Sequence, residues 1–427
     1  MINKFLFNIG IWKRNPTLPK HLAFLLKSDH WTKEDLTQYQ VMQCKEFLEF
    51  VYEYSPYYKT IFDDYDFNPL EFTNLKQLRQ LPTFSKITLI KYNKLIHSKY
   101  SFKRLFPALT SGTTGESLSF LRNEEWDSQN RAAMFRGYSW YGVHPSEKNG
   151  YLWGYNLNPK QAQQIKWLDR LQNRFRIFSY SNEEIAKFAN NLKGAKYLHG
   201  YSSMIYEVAK LVNKSGIKIK HELKMVKGTS EKVFDSYQAE VKKAFGLKII
   251  SEYGSAESGL IAFECPKGNM HIAMEHIIVE VEDGEILVTN LLSKSFPIIR
   301  YRLGDIIELA DENFKCACGR AHPVILNIIG RVGIKIFGKT QEFPGRMIYN
   351  VIKNLATDHG ITINYQARQN IRGVVDLYIE QDETDSQFLL ERELKKYFKQ
   401  DIDFHIHYGK DLHNMEEKLN DFITTIS

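Results

Sequence analysis

The chain has 427 residues, of which 43% are hydrophobic and 25% charged, an ordinary profile for a globular protein. This length predicts roughly two or three domains. The formal net charge is +7. That mild excess suits an anionic small-molecule partner, and it disfavours a nucleic-acid binder because the basic residues are dispersed and no recognition motif accompanies them.

The N-terminus carries a short apolar stretch, residues 5–12, which Lys13 and Arg14 follow. A signal peptide has its basic residues before the apolar run, so this order argues against secretion. No apolar run reaches the roughly 18–20 residues of a membrane span. We therefore expect a cytoplasmic protein with no transmembrane segment. A membrane-surface anchor at residues 5–12 is the alternative.

Residues 20–60 have apolar side chains at spacings near three and four, which predicts helix, and Ser55-Pro56 interrupts it. A turn follows at 78–82, and a helix is predicted over about 123–140. Helical and β-rich stretches then alternate, which favours an α/β fold with a parallel sheet and crossover helices. The helical stretches are 182–193, 203–215 and 231–245, and the β-rich runs are 223–227 and 247–251.

Residues 276–310 change to an alternating, β-rich pattern in which Asp283-Gly284 predicts a hairpin turn. Beyond 330–333 the pattern restarts as a small α+β unit. Its strands are predicted near 361–368 and 373–380, and its helix near 384–399. We expect two domains, 1–330 and 331–427, the first including a β-rich segment at 262–325.

The loop at residues 110–115 reads Thr-Ser-Gly-Thr-Thr-Gly. Glycines let backbone amides approach a phosphate closely, and the hydroxyls add donors. The Gly-Lys-Ser/Thr ending of a Walker loop is missing. The sequence therefore predicts a phosphate-binding loop of another kind, with a flexible surface loop as the alternative.

Three later segments carry residue types that suit a nucleotide. The segment 251–257 follows a predicted strand, and there Tyr253 could stack on a base while Glu257 could hold Mg²⁺. Asp305 lies at a predicted Gly turn and could accept from ribose hydroxyls. Arg331 could pair with phosphate. The alternatives are a capping Glu, an Asp that stabilises its own turn and a surface Arg.

In this order, the four segments resemble the adenylate-forming enzyme superfamily. The closer resemblance is to its phenylacetate–coenzyme A ligase branch, which includes CapK-type proteins of capsular-polysaccharide synthesis. Residues 55–58, 81–86 and 261–266 resemble signatures of that branch. The resemblance covers nearly the whole chain from about residue 45. It implies a large ATP- and acyl-binding domain with a β-rich part and a small mobile α+β domain.

The resemblance also implies roles residue by residue. It implies that Glu257 holds Mg²⁺, that Tyr253 stacks on adenine and that Asp305 binds the ribose. It also implies that Lys418, Thr113 and Glu257 are catalytic residues. The other nucleotide contacts that it implies are Thr110, Ser111, Gly112, Thr114, Gly115, Gly228, Thr229, Ser230, Glu231, Glu252, Gly254, Ser255 and Arg331.

Two regions depart from the family pattern. The usual Gly-Lys near the C-terminus is replaced by Glu417-Lys418, and Lys410, which follows Gly409, is the rival for the catalytic lysine. After Arg331, Val332 and Gly333 stand where the family usually has Asp. The departure after Arg331 falls on the hinge, which the family uses for domain rotation in its second step.

The cysteines predict a metal site. Cys265 lies six residues before His271, and Cys316 and Cys318 follow later. Three Cys and one His match a closed structural Zn²⁺ site, and the resemblance supports it. His276 and His322 are rival fourth ligands. The alternative is a set of unligated thiols in a reducing compartment.

An acyl pocket is predicted between residues 140 and 203. The candidates are Trp153, Tyr155, His199, Gly200 and Tyr201, with Tyr151 and Tyr197 nearby. The segment 199–202 ends a β-like run and precedes a helix, which suits a pocket floor. Aromatic core packing is the alternative for each side chain.

These inferences predict an ATP- and Mg²⁺-dependent ligase that activates a carboxylic acid as acyl-AMP and transfers the acyl group to a thiol. The resemblance makes coenzyme A the default acceptor. One alternative is transfer to an amine in surface-polysaccharide synthesis. Another is a degenerate nucleotide-binding scaffold without ligase activity. The resemblance also makes a homodimer possible.

Overall fold

The computed structural model describes residues 2–110, 117–152, 159–177, 181–217, 219, 221–230, 233, 235–328, 335–344, 346–361, 363, 365–379, 381–382, 387–410 and 422–426. Two compact units divide the chain. The larger comprises Met1–Ala108 and Phe120–Gly330, and the smaller comprises Leu109–Ser119 and Arg331–Ser427. The predicted site residues outside the described residues are Ser111, Gly112, Thr113, Thr114, Gly115, Trp153, Tyr155, Glu231, Arg331 and Lys418.

The larger unit begins with helices. Thr32 begins the third with a capping box in which its side chain accepts from the N–H of Asp35. The predicted break at Ser55-Pro56 is confirmed, because Pro56 is the first residue of the fourth helix. A second break near Asp29 was not predicted. The helices are α1 (Ile2–Arg14), α2 (Leu18–Ser28), α3 (Lys33–Tyr54) and α4 (Pro56–Asp64).

Short elements lead from these helices to the sheet. Two 3₁₀ turns follow, Pro69–Glu71 and Leu75–Gln80, and the second overlaps the start of the predicted turn at 78–82. They are followed by α5 (Lys86–Lys91), α6 (Asn93–Ile96), a two-stranded sheet of β1 (Leu105–Leu109) and β2 (Ser119–Asn123), and α7 (Glu124–Ser139).

One half of the main sheet is parallel, as the alternating pattern predicts. Apolar side chains on one of its faces, such as Leu198 and Val226, pack with the crossover helices into a buried core. The strands are β3 (Asn149–Leu152), β4 (Arg174–Arg176), β5 (Tyr197–Tyr201), β6 (Met225–Thr229) and β7 (Ile249–Ser255). The helices are α8 (Pro159–Leu171), α9 (Asn182–Asn191), α10 (Ser202–Ser215) and α11 (Asp235–Phe245).

The sheet continues antiparallel beyond β7, in the order β10-β11-β12-β13-β9-β8-β7-β6-β5-β3-β4. The predicted hairpin is confirmed, because Asp283 and Gly284 both have positive φ and join β10 to β11. The antiparallel strands are β8 (Gly259–Glu264), β9 (Met270–Ile272), β10 (Ile277–Glu282), β11 (Glu285–Asn290), β12 (Ile298–Leu309) and β13 (Val324–Ile328). The α/β prediction is confirmed.

The smaller unit has a core of its own, in which apolar side chains of two helices pack on a four-stranded sheet of order β18-β17-β16-β19. The last two strands in chain order were not predicted. Its elements are β14 (Lys335–Phe337), β15 (Glu342–Pro344), α12 (Arg346–His359), β16 (Tyr365–Ile371), β17 (Val374–Ile379), α13 (Gln387–Phe398), β18 (Asp403–His407) and β19 (Phe422–Thr424). Among the described residues, no helix is both long and apolar enough to cross a bilayer.

Candidate nucleotide site and Cys–His cluster

Two residues predicted to hold a nucleoside lie side by side. The hydroxyl of Tyr253 donates to Oδ2 of Asp305 at 2.8 Å. Both residues lie on strands, and neither is in the loop or turn that the sequence predicts. Tyr253 belongs to β7, which extends because β8 pairs with it antiparallel.

Asp305 lies on an irregular part of β12. Between two pairs of this ladder β11 advances two residues, from Glu285 to Leu287, while β12 spans four, from Arg302 to Ile306. Gly304 within this bulge has a φ of +87°. A bulge redirects side chains relative to a regular strand. Gly304, which predicts a tight turn in the sequence, lies in this bulge instead.

Glu257 lies just beyond the end of β7, and it is buried. The Tyr301 hydroxyl, from β12, donates to its Oε1 at 3.1 Å. Arg122 of β2 donates to the carbonyl oxygen of the adjacent Ala256. Tyr253, Asp305 and Glu257 therefore all lie where the end of β7 meets β12, and Arg122 holds the backbone next to the carboxylate.

Three other residues of the predicted nucleotide segments show specific local features. Glu252 pairs with Lys227 of β6 at 2.5 Å, and Lys227 is buried. A Cβ on Gly254 would lie 2.3 Å from the carbonyl oxygen of Gly259, so this position requires glycine for the β7–β8 turn. Ser230, directly after β6, has a φ of +66°, a strained value for a non-glycine residue.

Thr110 is the only residue of the predicted phosphate loop that falls in the described part of the chain. Its backbone N–H donates to the carbonyl oxygen of Leu118 at 2.9 Å, and its Oγ1 accepts from the N–H of Leu118 at 2.9 Å. Ser117 also donates to the Thr110 carbonyl oxygen. These three bonds hold the two ends of the segment together.

A polar row crosses the parallel strands near the predicted acyl pocket. His199 is in register with Tyr151 of β3 and with Lys227 of β6, and Tyr151 is in register with Arg176 of β4. Burial, reinforced by Arg174 and Lys227, lowers the pKa of His199 well below its ordinary value. Its imidazole is therefore neutral near pH 7.

Gly200 and Tyr201 complete the described part of the predicted acyl pocket. A Cβ on Gly200 would lie 2.2 Å from the Leu152 carbonyl oxygen, and its φ is +154°. The segment does end β5 and precede α10, as predicted. The neighbouring Tyr197 is buried, and its ring lies 5.2 Å from that of Tyr138. Core packing, the alternative given for the aromatic residues, describes Tyr197.

The four predicted zinc ligands come together. The ligand atoms of Cys265, His271, Cys316 and Cys318 all lie within 4.8 Å of one another. The Sγ atoms of Cys265 and Cys316 are 3.7 Å apart, and Sγ of Cys318 is 3.2 Å from Nε2 of His271. Zinc–sulfur and zinc–nitrogen bonds of about 2.3 and 2.0 Å place the ligand atoms of a tetrahedral site roughly 3.5–3.8 Å apart. The spacing fits such an ion.

Hydrogen bonds orient the His271 ring and reach two of the sulfur atoms of this cluster. Nδ1 of His271 lies 3.0 Å from the carbonyl oxygen of His322 and must donate to it, which directs the Nε2 lone pair into the cluster. Burial lowers the pKa of His271 to about 4, so the imidazole is neutral. The N–H groups of Lys267 and Cys318 donate to the Sγ atoms of Cys265 and Cys316, respectively.

The two rival histidines have other partners. His276 is buried, and its Nδ1 lies 3.4 Å from the Gln129 amide nitrogen. Nε2 of His322 lies 2.9 Å from Oε1 of Glu275. Of the three histidines considered, His271 is therefore the one that belongs to the cluster.

His322 connects the cluster to a buried ionic network. Glu275 is fully buried, pairs with Arg136 of α7 and accepts from Ser28 at 2.5 Å. Arg136 also lies 3.7 Å from Asp29. Burial alone would raise the pKa of Glu275, but Arg136 and His322 hold it well below its ordinary value. The sequence analysis did not identify this network, because its members are far apart in the chain.

Comparisons with known proteins show which proteins this chain resembles in sequence. The chain is 24% identical to protein CapK of Staphylococcus aureus over 290 residues, covering 65% of this chain and 64% of CapK. It is 23% identical to phenylacetate-coenzyme A ligase of Thermus thermophilus over 322 residues, covering 70% and 71% of the two chains. The match thus spans slightly less than two thirds of CapK. No family model matches the chain.

The solved structures show the fold of the chain. 2-Hydroxyisobutyryl-CoA ligase, in complex with 2-HIB-AMP and CoA in the thioesterification state, superposes with a TM-score of 0.62 and 16% identity, covering 93% of this chain and 91% of the ligase. Its postadenylation state superposes with a TM-score of 0.59 and 14% identity, with the same coverage. The chain has the fold of the adenylate-forming ligases. The resemblance to this superfamily, and to its phenylacetate–coenzyme A ligase branch, is confirmed.

Proposed function

We propose that the protein is an ATP-dependent ligase that activates a carboxylic acid as acyl-AMP and transfers the acyl group to a thiol, with coenzyme A as the default acceptor. The observation that carries this proposal is the juxtaposition of Tyr253, Asp305 and Glu257 at the end of β7. An aromatic ring, an acceptor for hydroxyls and a buried carboxylate are the groups that a nucleotide with a bound divalent cation requires.

The chain's own residues would divide the work of adenylation. Tyr253 would stack on the adenine, Asp305 would accept from the ribose hydroxyls, and the loop that begins at Thr110 would donate to phosphate oxygens. Glu257 would hold Mg²⁺, which supplies positive charge beside the phosphates when bound. A carboxylate is a poor electrophile. Its oxygen would therefore attack the α-phosphate of ATP and displace pyrophosphate, so that the acyl carbon acquires AMP as a good leaving group.

Lys418 is proposed as the lysine that stabilises negative charge during adenylation, with Lys410 as its rival. Lys410 is exposed, and its backbone N–H donates to the carbonyl oxygen of Ile379 at 3.0 Å. That bond fixes the backbone at Lys410 to the end of β17 and leaves its side chain at the surface of the smaller unit.

We also propose that Cys265, His271, Cys316 and Cys318 hold a structural Zn²⁺. With four protein ligands the ion would have no open position for a substrate. It would join the turn after β8 to the segment between β12 and β13. The hydrogen bonds to the sulfur atoms and the fixed tautomer of His271 support this assignment.

The decisive experiment measures pyrophosphate release from ATP over a panel of aryl, acyl, amino and sugar acids. Hydroxylamine serves as a generic acceptor, because it traps any acyl-adenylate whatever the natural nucleophile is. We expect acid-dependent release with one acid class. Release should be lost in Glu257→Gln and kept in Glu34→Gln, a matched change of an exposed carboxylate in α3. ATP binding without release over the whole panel would instead indicate a nucleotide-binding scaffold.

Two further measurements sharpen the proposal. Lys418→Ala should abolish pyrophosphate release and leave ATP binding nearly intact, whereas Lys410→Ala should retain release. The opposite result would move the catalytic role to Lys410. Replacing hydroxylamine with coenzyme A or with amino sugars then identifies the acceptor, since only the true nucleophile should accelerate turnover. The homodimer is tested separately, by sedimentation of the purified chain.

A further inference from the structure

The helix α1 has two apolar faces, whereas a surface helix normally needs one. One face packs on the larger unit through Phe7 and Ile11. The Phe7 ring lies 5.8 Å from that of Phe135 and 6.0 Å from that of His144, and Ile11 is half-buried against the same core. Arg104 donates to the carbonyl oxygen of Lys13 at 2.6 Å, which fastens the C-terminal end of the helix.

The other apolar face points away from the protein. Phe5, Ile9 and Trp12 are 66%, 45% and 76% exposed. At about 100° per residue, these three side chains fall within about 60° of one another and roughly opposite Phe7 and Ile11. Packing of the fold does not require this second face.

The charged side chains of α1 itself are all basic. Residues 2–28 contain five Lys or Arg side chains and no acidic residue. The first acidic residue of the chain is Asp29. Lys4 and Lys13 are both exposed. At about 100° per residue, Lys13 lies about 40° from Ile9, and Lys4 lies about 80° from Trp12, on the side toward the packed face. Arg14 is engaged differently, because it lies 3.6 Å from Asp127 and above the ring of Phe106.

A neighbouring helix also carries exposed apolar side chains. α8 contacts α1 and presents Trp167 and Leu168, which are 63% and 46% exposed. Tryptophan combines an apolar ring with one polar N–H, and it concentrates at the boundary between water and lipid. Both helices therefore carry an exposed tryptophan of the kind that an interface of this type selects.

We propose that α1 binds the protein to an anionic lipid surface, with Phe5, Ile9 and Trp12 in the headgroup region and Lys4 and Lys13 against lipid phosphates. A second copy of this chain fits the face less well. A two-fold interface would place the same row of cations opposite itself, with no acidic residue in residues 2–28 to pair with it.

The test is flotation of the full chain with vesicles of phosphatidylcholine alone and with about one quarter phosphatidylserine added. We expect binding to the anionic vesicles only, weakened by salt. The double variant Phe5→Ala/Trp12→Ala should lower the bound-to-free ratio at least about tenfold. Leu70→Ala, which removes an equally exposed side chain outside α1, should bind as the unaltered chain does.

A second variant separates charge from apolar contact. Lys4→Gln/Lys13→Gln should reduce binding to anionic vesicles while the Phe5–Ile9–Trp12 face is kept. Absence of binding to anionic vesicles, or equal binding by Phe5→Ala/Trp12→Ala, would overturn the proposal. So would a dimer, seen by sedimentation velocity, that this double variant converts to monomer, because α1 would then be an interface between two copies.

Discussion

The hydroxyl of Tyr253 donates to Asp305, and we propose that its ring stacks on the base. Stacking of a base on an aromatic ring contributes about 1–3 kcal/mol. Tyr253→Ala should therefore raise the KM for ATP by roughly fivefold to a hundredfold, whereas Tyr253→Phe, which retains the ring, should raise it by less. The measurement is the KM for ATP in the pyrophosphate assay.

The matched control for this pair is Tyr65→Ala, which removes an exposed ring at the end of α4. It should leave the KM unchanged. Equal losses in Tyr253→Ala and Tyr253→Phe would show that the hydroxyl, through Asp305, carries the effect, and stacking would have to be abandoned.

Cys316 offers a second test at the scale of one side chain. Cys316→Ser should reduce the zinc content of freshly purified protein from about one ion per chain to a small fraction, and it should lower the melting temperature. Cys44→Ala should keep the metal, because Cys44 is buried in α3 outside the cluster. Elemental analysis measures the zinc content, and a thermal melt measures the stability. Unaltered protein without zinc would refute the assignment.

The Cys–His cluster could be predicted from the sequence because few residue types bind zinc and the resemblance supported the site. The choice of His271 over His276 and His322 needed the structure. Arg122, Lys227 and Arg136 could not be predicted in the same way. A single cationic side chain usually belongs to the surface. What gives these three a role is a partner that is distant in the chain, and a local pattern does not reveal such partners.

Between elements, the pair Arg136–Glu275 connects α7 to the segment between β9 and β10. Both side chains are buried, and Glu275→Gln leaves Arg136 with Asp29, 3.7 Å away, as its remaining carboxylate partner. We expect Glu275→Gln to lower the free energy of unfolding by up to about 3 kcal/mol, the lower end of the range for breaking a buried ion pair. The exposed control Glu312→Gln should lower it by less than about 0.5 kcal/mol. Denaturant titration measures both.

The same pair predicts a pH dependence. The folded state holds the pKa of Glu275 below its ordinary value, so its contribution is fully present above about pH 4.3. It is lost as the pH falls through the folded-state pKa. The stability difference between the unaltered chain and Glu275→Gln should therefore shrink in acid. A difference that stays constant from pH 7 down to acid unfolding would contradict the assigned ionisation.

At the scale of strands, local sequence patterns predict some features of the sheet and miss others. Asp283-Gly284 predicts its hairpin because a tight turn needs residues that accept positive φ. The extension of β7 past Ser251 and the bulge at Gly304 depend on β8 and β11, the strands that pair with them. Strand pairing of this kind is a long-range property, so the sequence placed Tyr253 and Asp305 in a loop and a turn.

For the whole molecule, the two units have separate apolar cores, and the Cys–His cluster lies within the larger one. We expect calorimetry to show two unfolding transitions. A zinc chelator should lower the temperature of one transition only, that of the larger unit. A single transition with equal calorimetric and van't Hoff enthalpies would show instead that the units unfold as one.

The alternation of helices and strands predicts the α/β class because hydrophobic periodicity survives in each element. The order of the large sheet could not be derived in that way. Its antiparallel half places β13 between β9 and β12, strands that are distant in the chain. Several strand orders satisfy the same periodicity, and only tertiary packing selects among them.

The Sγ atoms of Cys265 and Cys316 lie 3.7 Å apart although 51 residues separate them in the chain. A bound ion would close that segment into a ring, as a disulfide does in oxidising surroundings. A covalent link across a loop of this length restricts the unfolded chain by about 4 kcal/mol in the chain-entropy model. Unlike a disulfide, this cross-link would open and close with metal supply rather than with redox state, so the folding of β9 and β13 would depend on the availability of zinc.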